Sequence, residues 1–179
     1  MEKVIEYVLF FFFYSLIGWI SEEIYCYIKD KRWTKRGFLF GPLCPIYGTG
    51  ALSMLLALTW CRRWPVVVFL LGVLVCDVVE YFTSFAMEKL FDKKWWDYSK
   101  KKYNLNGRIC LEHSCYWGIF SVALIYLIHP FGAQKLVQIM PYNVKLWIFI
   151  ILLSIFLVDL AVTVKVTRKA KKEKEKLKK

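Results

Sequence analysis

The sequence predicts an all-α, polytopic integral membrane protein with five transmembrane helices, and three observations carry that reading. Of its 179 residues, 58% are hydrophobic and 18% aromatic, with mean hydropathy +0.42, whereas soluble domains run nearer half apolar. The charged residues, 22% of the chain and summing to +12, are segregated from long apolar stretches. Finally, the Lys and Arg counts between those stretches alternate between high and low.

A bilayer-crossing helix takes about 20 predominantly apolar residues. The first window, Tyr7 to Ile28, follows MEKVIEY, which holds two Glu and one Lys, and no small-x-small cleavage site comes after it. It reads as a retained helix and not as a signal peptide. The second window, Gly37 to Cys61, is broken or re-entrant at its inner end. In RGFLFGPLCPIYGTG, Pro42 and Pro45 remove backbone donors and Gly41, Gly48 and Gly50 relax the chain, so regular helix starts near Pro45. One reading makes this a re-entrant cap whose free amides and Arg36 hold an anionic group; the other is a proline-initiated helix after an ordinary turn. The remaining windows are Pro65 to Met87, Ile109 to Ile128 and Leu146 to Val164.

Lys and Arg number one before the first window, then five, two, six with Lys89 beside them, and two in successive loops, and nine from Lys165 onward. The alternation places the N-terminus outside and the C-terminus in the cytoplasm. No linker or repeat divides the chain, so residues 1–165 form a single transmembrane domain and 166–179 a basic cytoplasmic tail, solvated or skimming the lipid surface. Anionic headgroups, and not nucleic acid, are the acidic partner of basic residues at the ends of apolar segments.

Six cysteines lie in or beside apolar runs without a Cys-x-x-Cys pair, and His113 and His129 stand apart. These features predict small buried thiols, with no metal and no cofactor. The chain has no G-x-x-x-x-G-K-[ST] loop, so it does not itself hydrolyse ATP in that manner.

Ionisable groups inside spans are costly unless they face protein or water. Glu22 and Glu23 interrupt the first span, Asp77 and Glu80 the third, and Asp159 the fifth, all at one level in the cytoplasmic half. Asp77, Glu80, Tyr81, Ser84 and Glu88 share one helix face. At most one of Glu22 and Glu23 points toward that face, and the other reaches the headgroups. Arg36, Arg108 and His113 lie close by as counter-charges. Glu22, Asp77, Glu80, Ser84, Asp159, Arg36, Arg108 and His113 therefore line a predicted polar chamber for a cation, a proton or the cationic part of a substrate. An ion-pair network locking the helices together remains open beside it. Tyr47 and, in the third loop, Trp96, Asp97, Tyr98, Asn104 and Asn106 support the chamber from its cytoplasmic side. The loop's aromatics also suit the membrane interface, and Asn-x-Asn-Gly is a turn that aims Arg108 back toward the acids.

The segments GWISEE, RGFLFGPLCPIYGTG, EYFTSFAMEKLF and WWDYSKKKYNLNGRIC, in that order from about Gly18 to Asp159, resemble the bacterial CmpB-like ABC-transporter type IV family of membrane proteins. Lys35 stands where the family motif usually has Asn before Arg36, Gly37 and Phe38. The resemblance implies a multi-pass protein of the bacterial cell membrane acting as a transporter permease subunit. A separate ATPase would dock on the first and third loops, and five spans favour a homo- or hetero-oligomer. Two other classes stay open: a scaffold, regulatory or lipid-binding protein, and a membrane-embedded enzyme acting on a lipid headgroup or cell-wall precursor. No nucleophile and base have a recognisable spacing, so enzymatic activity is the less favoured reading.

Overall fold

A computed structural model describes residues 1–31 and 37–177. Among these, six α-helices account for most of the chain: α1 (Glu2–Asp30), α2 (Pro45–Leu58), α3 (Pro65–Phe91), α4 (Leu111–Ala123), α5 (Gln134–Gln138) and α6 (Tyr142–Leu177). Four helical stretches are long and apolar enough to cross a membrane: Glu2–Ile28, Pro65–Phe91, Leu111–Gln138 and Tyr142–Leu177. The second expected span, Gly37 to Cys61, differs. Helix begins at Pro45, whose missing N–H falls where no intrahelical partner exists, and continues through a 3-10 turn only to Cys61. That is short of the length a full crossing takes. Residues 37–44 before it are non-helical.

Two further departures are local. Asn104–Leu105 (β1) and Ile109–Cys110 (β2) pair antiparallel in the third loop, a small sheet in an otherwise helical protein. The third long stretch, Leu111–Gln138, runs beyond the expected end at Ile128: Leu124–Ala133 is a π-helix joining α4 to α5, with Pro130 inside it. Proline has no N–H to donate and crowds the carbonyl four residues back, and the wider π turn relieves both problems. α6 continues without a break from the apolar segment through the basic residues to Leu177.

Small residues set the helix contacts. At Gly18 an added Cβ would collide with Tyr47, and at Gly48 with Ser15 and Phe11, so α1 and α2 touch backbone to side chain. Gly72 against Ser121 and Gly118 against the Phe69 ring do the same for α3 and α4. Close approach through glycine is how apolar helices gain dispersion contact where burial from water offers little drive. Met54, Leu58, Val68 and Leu124 are fully buried at the centre of the apolar core. α6 is attached more loosely: only Lys145 and Thr163 of its residues are buried. The Lys145 ammonium sits between Glu2 (2.9 Å) and Glu6 (2.5 Å) of α1, tying the starts of the two helices together.

Candidate functional site

Three acids of the predicted layer lie in one region, each answered by a neutral donor. Glu80, on the buried face of α3, is 5% exposed. Its Oε1 accepts the Tyr98 hydroxyl at 2.9 Å and its Oε2 the Trp117 indole N–H at 3.0 Å. One turn earlier, Asp77 lies with both oxygens 2.8 Å from the Ser114 hydroxyl of α4. That hydroxyl is also 3.0 Å from the Cys110 carbonyl, and its single proton serves only one acceptor at a time. On α1, Glu22 accepts the Tyr47 hydroxyl at 2.6 Å. Tyr47 packs its ring 5.6 Å from Trp117, linking the Glu22 and Glu80 contacts through two adjacent aromatics. The bare Gly18 backbone makes room for Tyr47 in that position.

The third loop closes over this region. Tyr98 stacks on His113 with centroids 4.4 Å apart, and His113 Nδ1 lies 3.2 Å from Cys110 Sγ. Burial, then the Glu80 carboxylate beside it, pushes the Tyr98 phenol up, so it stays a donor. Asn104 and Asn106 shape the turn: Asn104 accepts the Gly107 N–H at 2.9 Å, and Asn106 and Gly107 take positive φ. Asn106 then donates to the Tyr81 hydroxyl at 2.8 Å, and Trp96 donates its indole N–H to the Arg108 carbonyl at 3.0 Å. Asp97 accepts both the hydroxyl and the N–H of Ser99, which hold its carboxyl below the usual range.

Arg108 turns back onto α3, but to a different acid from those expected. Its guanidinium contacts Glu88 at 2.5 Å, donates to Ser84 at 3.1 Å and lies over the Tyr81 and Phe85 rings. It is therefore Glu88's counter-charge and not that of Asp77 or Glu80. Among the described residues, no ion pair reaches Glu22, Asp77 or Glu80. Arg36 lies outside the described residues.

Asp159 is not part of this cluster. Its Oδ1 accepts the Phe40 N–H at 3.0 Å and its Oδ2 the Gly41 N–H at 2.7 Å, with Thr163 Oγ1 3.1 Å away on its own helix. The free amides of the broken segment do meet an anionic group, and that group belongs to the protein's own α6. Glu23 is buried, at 8% exposure, instead of extending outward as expected.

Of the four neutral donors, Tyr47 and Tyr98 are among the expected supporting residues, whereas Ser114 and Trp117 are not. Trp117 and Ser114 fall at i, i+3 on α4, a spacing that puts them on one face, and α4's polar residues were the available signal. The Lys145 clamp was signalled by Glu2 and Glu6 at i, i+4 in the leading segment.

Long apolar helices enclosing a row of carboxylates, Glu80 buried and Glu22 and Asp77 partly so, define a multi-pass helical membrane protein. The matched stretch of the chain contains that whole row, the loop above it and Asp159, and ends just before the basic residues of α6. The chain belongs to the family described as "Putative ABC-transporter type IV", whose model matches residues 9–164. No curated protein and no solved structure matches it.

Proposed function

We propose that this chain is the membrane component, a permease subunit, of a transporter, and that Glu22, Asp77 and Glu80 receive a cation or the cationic group of its substrate. Glu80 carries the reading. It is a buried carboxylate in a span, bonded only to neutral donors among the described residues, with two further acids close by. Such a group leaves negative charge for a ligand or a proton to balance. In this reading α2 and residues 37–44 together make a fifth, shortened crossing. The N-terminus faces outward, the basic end of the bundle faces the bacterial cytoplasm, and residues 1–165 act as one domain. A separate ATPase supplies the energy, and further copies or subunits complete the pathway.

Purification of the tagged full chain in native nanodiscs tests this. An ATPase should copurify, and Glu80→Gln should lower the ATP hydrolysis of the assembled complex by about tenfold, the order expected when one essential charge contact is lost. A chain that carries only lipid, and whose Glu80→Gln variant merely falls in abundance, would fit a scaffold. A new product from added phosphatidylglycerol would instead indicate an enzyme.

A further inference from the structure

The aromatics of the third loop are not all used alike. Trp95 packs against the Phe38 and Phe91 rings, Trp96 donates to the Arg108 carbonyl, and Tyr98 meets Glu80. Tyr103 is instead 80% exposed, and its φ of 51° is one that residues with a bulky side chain rarely adopt. The β1–β2 pairing sets its neighbours. Leu105 opposes Ile109, and one step along the ladder the Leu111 N–H donates to the Tyr103 carbonyl. Side chains alternate across a strand, so Tyr103, Leu105, Ile109 and Leu111 share one face of the hairpin. That face is turned outward, with Leu105 54% and Leu111 55% exposed. On the other face Cys110 is buried, and Asn104 bonds back to the Lys101 carbonyl and the Gly107 N–H. The hairpin is therefore sorted inside out for water, a pattern that marks a contact surface.

We infer that this hairpin face is an interfacial anchor, seated in the bilayer surface with anionic lipid headgroups on the lysines beside it. Two crossing helices set its level. Asn106 reaches Tyr81, and Arg108 reaches Ser84 and Glu88, so the hairpin lies beside the last turns of α3 and not past its end at Phe91. Over those same turns α3 exposes Phe82 and Phe85. The apolar face also runs directly into the outer side of α4, where Leu111, Cys115 and Ile119, at i, i+4 and i+8, are all exposed. Both helices belong to stretches long and apolar enough to cross a membrane, so the lipid that covers them also meets the hairpin. Charge completes the match. Of the adjoining Lys100, Lys101 and Lys102, Lys101 is held by Glu112 at 2.8 Å, and among the described residues neither of the others forms an ion pair. An apolar face with unpaired ammonium groups at its edge suits acyl chains and phosphates of one lipid layer. A second copy of the chain laid face to face would bring apolar surface, but with the same lysines and no anion for them. Nothing in the anchor depends on the role of Glu80.

The test uses the full chain in nanodiscs, with a fluorescent coumarin amino acid in place of the exposed Leu105. In discs of phosphatidylcholine and phosphatidylglycerol with brominated acyl chains, the label should be quenched by the lipid and shielded from acrylamide in the water. Replacing the phosphatidylglycerol with phosphatidylcholine should raise the ratio of released to embedded label about tenfold or more, as expected when two lysines lose their anionic headgroups. Combining Lys100→Gln with Lys102→Gln should abolish that dependence on lipid charge. Acrylamide quenching without lipid quenching would mean a solvated hairpin, and shielding from both quenchers a hairpin covered by protein. Either result, or a dependence on lipid charge that survives the double substitution, would overturn the proposal.

Discussion

Glu80 and Asp159 stand at comparable distances along α3 and α6, yet different kinds of donor hold them. Glu80 is met by the ends of two side chains, Tyr98 from a loop and Trp117 from α4. Asp159 is met by two successive backbone amides, those of Phe40 and Gly41. A phenol or an indole can turn to another acceptor, which leaves the carboxylate free for a ligand. A backbone amide in a non-helical segment has no such alternative, and without its acceptor it is stranded. The contrast is the one expected if Asp159 serves the architecture and Glu80 the proposed binding of a cation.

The largest expected effect comes from removing the architectural acid. Asp159→Ala leaves both amides without their charged acceptor and should cost about 3 kcal/mol, read as a fall in thermal stability in nanodiscs. Asp159→Asn, with one acceptor oxygen in place of two, should recover about half of that. If both variants were as stable as the parent, the contrast would fail. Gly41→Ala probes the same contact from the other side, because its Cβ would lie 2.9 Å from Asp159 Oδ2. It should destabilise by about 1–3 kcal/mol, the usual range for overpacking. Tyr98→Phe removes one neutral donor from Glu80 and should cost no more than about 1 kcal/mol. A loss as large as that of Asp159→Ala would make Glu80 structural too.

The smallest effect concerns pH. Ser99 depresses the Asp97 carboxyl, so the order it lends the loop is complete above the ordinary aspartate value near about 4 and is lost as pH falls through the lower folded value. Protection of the Ser99 amide, relative to its intrinsic exchange rate at each pH, should hold at neutral pH and be lost only in strong acid. Asp97→Ala should lack that protection at every pH.

The sequence showed best what is encoded by short-range spacing. The polar face of α3 follows from helical periodicity, the start of α2 from Pro45, and the return of Arg108 from the Asn104 to Gly107 turn. Partner choice was harder to read. Phe40 and Gly41 engage Asp159 through amides, which every residue but proline has, across 118 residues of chain in the case of Gly41. Arg108 was correctly aimed at α3, but which of three acids on one face it meets depends on how far the loop extends. Tyr98 looks like an interface anchor in sequence, because an amphipathic aromatic suits a headgroup layer and a buried carboxylate equally well. The number of crossings rests on hydropathy, which counts apolar residues 37–44 toward a span, whereas the start of regular helix at Pro45 was legible from the prolines and glycines around it.

The π-helix of residues 124–133 also sets the phase of the chain beyond it. A chain closing its hydrogen bonds over five residues advances through a smaller angle at each step than one closing them over four. Everything after Ala133 is therefore rotated from where an unbroken α-helix would have carried it. The facing of Val137, the turn at Met140 and Pro141, and the meeting of Lys145 with Glu2 and Glu6 all inherit that offset. Deleting a single residue from this stretch would leave composition and hydropathy almost unchanged while turning the start of α6 away from its acidic partners on α1.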